Sequence, residues 1–166
     1  TSLTLMHCDI THIPKYLVSP PMTLRYLNMD HNVLTKLPPK IRWEEIKGLS
    51  LEDNLIDEWP EQIHPSLMPE LEYLSLASNS ILLALFSSFP ELRYINLSSC
   101  GLSEFPTALI QSPKLICIDI SNNPNISIAN LDNCQDRENT CIVIAKGTQL
   151  QSLEDGGKII IIANDT

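Results

Sequence analysis

Apolar residues recur along this chain in a fixed frame of nine positions. Leu71-Glu72-Tyr73-Leu74-Ser75-Leu76-Ala77-Ser78-Asn79 shows it plainly, apolar at one, four and six with Asn at nine. The frame returns as LRYLNMDHN from Leu24, IKGLSLEDN from Ile46, LRYINLSSC from Leu92 and LICIDISNN from Leu115, and a shortened LTLMHC runs from Leu3 to Cys8. Positions four and six lie two apart, so on a short strand both point to one face, while three and five point to the other. Position nine leaves the strand, and an Asn amide there both donates and accepts, serving backbone groups of its own turn and of the next coil. Cys8 and Cys100 replace it with a small, weakly donating thiol. One such segment cannot bury its own apolar edge. The pattern therefore predicts coils stacked into a solenoid, one strand per coil.

The segments between frames carry a second signal, an apolar residue followed by Pro: Ile13-Pro14, Leu37-Pro38, Trp59-Pro60 and Phe105-Pro106. The fourth copy departs, with Leu85 at the Pro position. Pro fixes φ and lacks a donor, so it ends strand pairing and steers the chain into a return arm. Pro-rich pieces such as Ser19-Pro20-Pro21 argue against long helices. The arms, residues 39–45 and 61–69 among them, are expected to be irregular or short-helical. Position-four residues Leu3, Leu27, Leu49, Leu74, Ile95 and Ile118 recur about every 21–25 residues, inside the ~20–29 of short repeat units.

This frame resembles the leucine-rich repeat family over roughly residues 1–128, and the apolar-Pro pairs resemble the repeats of Scribble-like intracellular scaffolds. The resemblance implies an α/β solenoid: a horseshoe with a parallel concave β-sheet, mostly irregular convex arms and a C-terminal cap. Residues 1–128 are expected to hold about six repeats, the first partial. Residues 129–166 leave the frame. Two β-like runs there, 141–145 and 158–163, flank the turn signal Asp155-Gly156-Gly157. They are expected to cap the last repeat. The alternative is a degenerate seventh and eighth repeat, with Ile159, Ile161 and Asn164 at positions four, six and nine.

Composition narrows the function classes. A chain of 166 residues, 43% hydrophobic, suits one domain with a sizeable core. No apolar run approaches the ~18–20 residues of a membrane span, so insertion is not expected. A net charge of −9 disfavours nucleic-acid backbones and anionic membrane surfaces, and suits a partner with a basic patch. The five Cys (8, 100, 117, 134 and 141) form a poor disulfide framework and point to a reducing, cytoplasmic compartment. Whether Cys134 and Cys141 pair is left open. Three glycosylation-like triplets, at Asn96, Asn125 and Asn164, point the other way, although a glycan on Asn96 would crowd the sheet. Thr1 already lies inside a repeat frame with no signal peptide before it, so a piece of a longer or processed protein is expected.

Motifs for catalysis are absent: no G-x-S-x-G, phosphate loop, dinucleotide fingerprint or H-E-x-x-H occurs. His7 and His31 share position eight in adjacent coils, ~4.8 Å apart by strand spacing, and read as a solvated pair rather than a metal site. Cys134 and Cys141, with Asp132 and Asp136 nearby, lack a zinc spacing. No enzyme activity, cofactor or metal is implied.

The chain offers a surface instead. Position three reads Ser2, Tyr26, Gly48, Tyr73, Tyr94 and Cys117, so three of the four Tyr share one outward column. Tyr buries apolar area while keeping a polar tip, which suits an interface anchor, although aromatics also stabilise bare sheets. Small Ser75, Ala77, Ser78, Ser98 and Ser99 leave room beside them, and Asp30, Glu52 and Asp53 form an acidic corner. Arg25, Lys47, Glu72 and Arg93 border the column at position two. The candidate partner-binding residues are Tyr26, Tyr73, Tyr94, Asp30, Glu52, Asp53 and Arg93. The family resemblance implies protein recognition through the concave face, within a larger signalling or scaffold protein. Its rivals are a targeting domain joined to a catalytic domain, such as a phosphatase, outside this chain, and an extracellular receptor or adhesion module.

Overall fold

Every frame of nine becomes one short strand, and the strands pair in the register of the frames. The computed structural model describes residues 1–20, 23–81, 85–127, 139–150, 153–154 and 158–163. In it β1 (Ser2–Thr4), β2 (Tyr26–Asn28), β3 (Gly48–Ser50), β4 (Tyr73–Ser75), β5 (Tyr94–Asn96) and β6 (Cys117–Asp119) form a parallel ladder, each beside the next. The stack continues through β7 (Cys141–Ile144) to β9 (Ile159–Ile162), and β8 (Leu153–Glu154) pairs antiparallel along the far edge of β9. The arms are irregular but for two single-turn helices, α1 (Lys15–Val18) and α2 (Thr107–Ile110). Both start directly after the Pro of an apolar-Pro pair, a position Pro suits because a helix leaves its first N–H groups unpaired.

Leu3, Leu27, Leu49, Leu74, Ile95 and Ile118 are successive partners across the ladder. All but Leu3 are buried, and Leu3 packs against the core from the first coil. The ladder then takes up Val143 and Ile161. That register corrects the frame expected for the last run: Ile161, not Ile159, holds position four, and Ala163 holds six. Strict alternation explains it, since Ile159, Ile161 and Ala163 all point inward. The limit expected at residue 128, and Asn164, lie outside the described residues.

Position nine holds the coils together. Asn123 Oδ1 accepts from the N–H groups of Cys100 (3.1 Å) and Leu102 (2.9 Å) in the preceding coil. Its Nδ2 donates to Leu97 O across the coil boundary (2.9 Å) and to Ile120 O in its own coil (2.8 Å). Asn32, Asn54 and Asn79 repeat the arrangement. Cys100 keeps only donation, from Sγ to Leu76 O at 3.1 Å, and burial pushes its thiol up to about 11. Thr148 fills the same place in the seventh coil, donating to Ala145 O (2.7 Å) and accepting from Leu150 N (3.2 Å). Among the described residues no buried side-chain nitrogen or oxygen lacks a partner.

Strand alternation would turn position eight inward and nine outward. A left-handed residue at eight inverts this: φ is 53° at His7, 54° at His31, 51° at Asp53, 56° at Ser78 and Ser99, and 57° at Asn122. Such backbone is uncommon outside Gly, and His, Asp and Asn tolerate it best.

Trp43 in the return arm is core: its indole N–H donates to Leu17 O at 2.6 Å. Trp59 is core as well, its ring edge-on to Phe86 at 4.9 Å. Leu85, where the Pro is missing, projects with 89% of its surface exposed.

Leu76→Ala removes a fully buried rung and should cost about 2–5 kcal/mol in chemical denaturation. Asn79→Ala strands buried backbone groups of two coils and should cost about 1–3 kcal/mol per group left unpaired, without a comparable loss of packed volume.

Candidate functional site

The outward column at position three is built as the frame requires. Tyr73 and Tyr94 are partners on neighbouring strands, with Gly48 on one side and Cys117 on the other. Tyr26 is 50% exposed, Tyr73 42% and Tyr94 46%, while Leu27, Leu74 and Ile95 beside them in the chain are closed to solvent. Tyr26 stands apart from the other two. A methyl group at Gly48 would fall 2.7 Å from its Cδ1, so its ring lies across Gly48 and fills the gap left there.

Charged side chains brace the column at position two. Lys47 Nζ donates to Glu72 Oε1 at 2.6 Å, and Arg93 Nε stands 3.9 Å from Glu72 Oε2. The hydrogen bond between Lys47 and Glu72 is the main reason the Lys47 ammonium is held above its ordinary value and the Glu72 carboxyl below its own. Arg25 meets Glu45 in the same way. Of this row, Arg93 makes the longest ion pair.

The acidic corner is smaller than the sequence suggested. Asp30 is only 8% exposed. Its Oδ1 accepts from the Glu52 N–H at 2.7 Å and its Oδ2 from Asn28 Nδ2 at 2.8 Å, so it locks two coils together instead of facing outward. The open side is left to Glu52 and Asp53. Glu52 accepts weakly from Ser75 Oγ at 3.4 Å, reaching toward the tyrosines. Asp53 Oδ2 lies 2.8 Å from His31 Nδ1, and the His31 ring stacks on His7 with centroids 4.4 Å apart and planes 3° from parallel. The Asp53 hydrogen bond, supplemented by the charges of Asp53, Asp30 and Glu52, raises His31 above its ordinary value against a smaller opposing effect of desolvation. Among the described residues no group of three His, Cys, Asp or Glu is arranged to hold a metal.

One part of this face escaped the sequence reading. In β7 and β9 the alternation that buries Val143 and Ile161 turns Ile142, Ile144, Ile160 and Ile162 to the open side. Ile142 and Ile160 continue the column of Tyr94 and Cys117, and Ile162 is 42% exposed. The available signal was the inward Val143-x-Ala145 and Ile161-x-Ala163 spacing, hidden because nearly every residue of these runs is apolar.

The sequence model described as Leucine Rich Repeat matches residues 91–112. Transforming growth factor beta activator LRRC33 of Danio rerio is 25% identical over 124 residues, 65% of this chain but 18% of that protein. The chain thus spans under a fifth of the length of this curated relative. A solved Shigella effector LRR domain is similar with a TM-score of 0.65 at 19% identity, over 98% of this chain and 80% of that one. At that identity the likeness is one of fold.

Protonated His31 paired with Asp53 favours the folded chain fully below the ordinary imidazole value, and the effect is lost as pH rises through the raised one. NMR titration should find His31 above the usual range and returned toward it in Asp53→Asn, which keeps a side chain suited to the left-handed turn. The stability gap between wild type and variant should close as pH climbs through that window.

Proposed function

We propose that this chain, a solenoid of the leucine-rich repeat kind with a Leucine Rich Repeat match at residues 91–112, is a protein-recognition module working through the open face of its sheet. One observation carries the reading: Tyr73 and Tyr94 stand on adjacent strands, half-exposed, on a backbone whose every coil is pinned to the next. Side chains held by a rigid sheet lose little freedom on binding, so burial of two rings translates into affinity with a small ordering cost. Glu52 and Asp53 at one end, with a chain charge of −9, favour a partner carrying a basic patch. Arg93 beside Tyr94 supplies a planar donor for a carboxylate of the same partner. Tyr26 and Asp30 enter this reading as supports, the first lying over Gly48 and the second bridging coils.

The module belongs on this reading to a larger signalling or scaffold protein inside the cell. The apolar-Pro pairs, shared with Scribble-like repeats, and thiols used as core residues at Cys100 and Cys141 support that placement. A second reading comes from the relative whose printed name is that of a growth-factor activator. Asn125, exposed and followed by Ser127, is compatible with an extracellular module. Mass spectrometry of protein from a secreting host decides: a glycan on Asn125 supports the second reading, and an unmodified chain with reduced thiols supports the first.

Tyr73→Ala combined with Tyr94→Ala should abolish capture of the cognate partner in a pull-down while shifting the melting point far less than Leu76→Ala. If the double variant melts as early as Leu76→Ala, the rings are structural and the proposal falls.

A further inference from the structure

Resting on the recognition reading above, we infer that the partner element is an amphipathic α-helix. It lies across the strands, with its apolar stripe on Tyr73, Tyr94, Cys117, Ile142 and Ile160 and a basic end over Glu52 and Asp53. Three features converge on this occupant. The first is continuity, because these five residues are partners in sequence across five adjacent strands. With strands ~4.8 Å apart the stripe runs about 19 Å. Ile144 and Ile162, at position five of the last two coils, widen it at one end.

The second feature is pitch. An α-helix advances ~5.4 Å per turn, so a helix laid along the stripe offers about one apolar side chain per strand over roughly four turns. An extended peptide repeats side chains on one face every ~6.6–6.8 Å and falls out of step within three strands.

The third feature is a gradient of polarity along the same face. Aliphatic residues occupy the β7 and β9 end, tyrosines the middle, and the carboxylates of Glu52 and Asp53 the β3 end. Near Tyr73 the row at position two sets two cations, Lys47 and Arg93, around the one carboxylate of Glu72, so the acidic field of this face lies on the other flank. A helix with Lys or Arg at the end over the third coil complements this, and a helix in the reverse direction places those cations on isoleucines. The gradient therefore sets orientation as well as affinity.

The test uses the full chain and a displayed library of 16-residue peptides, followed by affinity measurement of the best selected peptide. Enriched sequences are expected to carry apolar residues at helical spacing with Lys or Arg clustered at one end. Ile142→Thr with Ile160→Thr, which keeps β-branched residues in the strands, should weaken that peptide by about tenfold or more. Ile142→Val with Ile160→Val should retain most of the affinity, and Glu52→Lys with Asp53→Lys should lower it and flatten its salt dependence. Enrichment of extended or acidic sequences, or no enrichment, overturns the inference. If the Thr pair leaves affinity intact while Tyr73→Ala with Tyr94→Ala destroys it, the helix docking fails and the recognition reading survives. If neither pair matters, both fail. Sedimentation of the unliganded chain as a dimer that the Thr pair dissociates makes the stripe a contact between copies and likewise overturns the inference.

Discussion

The hydrogen-bonding side chain at the ninth position of the coils, a carboxamide at Asn32, Asn54, Asn79 and Asn123, is the constraint on which the rest of this structure depends. Every coil leaves the sheet through a turn that buries backbone N–H and C=O groups, and unpaired groups of that kind are costly. One Asn side chain, both donor and acceptor, serves groups of two coils at once. Where the amide is absent the substitutes are partial. The Cys100 thiol donates without accepting, and the Thr148 hydroxyl does both for its own coil. Getting the ninth side chain inside requires a left-handed residue just before it. The polar edge of the open face is thus also a row of backbone requirements, and His31 and Asp53 serve as turn residues before they serve as anything else.

That constraint makes the open face a rigid one. The register it imposes fixes which side chains are neighbours, and three-residue strands leave little freedom in where they stand. Asp30 shows the division of labour. Its acidic side chain, outward by position, is drawn in because two donors, one in its own coil and one in the next, claim both carboxylate oxygens. Glu52 has no comparable claim on it and stays available. Tyr26 meets a vacancy instead: without a side chain at Gly48 its ring lies over that backbone, yet it keeps half its surface open, as the paired Tyr73 and Tyr94 do.

Electrostatics on this face is local rather than global. The row of Lys47, Glu72 and Arg93 holds two cations around one carboxylate across three strands, and on this face the acidic groups Glu52 and Asp53 stand on the opposite flank of the tyrosines. The His31–Asp53 contact ties one of those carboxylates to an imidazole that the same hydrogen bond holds above its ordinary value, so the charge offered to a partner depends on pH at this corner.

Stacking, register and core were legible in residue order because periodicity is a one-dimensional property: apolar residues at four and six and Asn at nine say which way each side chain points. Leu27, Leu49, Leu74, Ile95 and Ile118 stand as the frame places them. Runs such as residues 159–162 carry no polar contrast, so their phase stayed ambiguous until pairing with β7 set it. Which outward groups remain outward was beyond reach as well. The fate of Asp30 depends on a backbone N–H in another coil, and the lie of the Tyr26 ring, though not its exposure, on a missing side chain a whole coil away. A repeat pattern dictates direction along one strand, but the availability of a side chain is decided by neighbours that only the folded stack brings beside it.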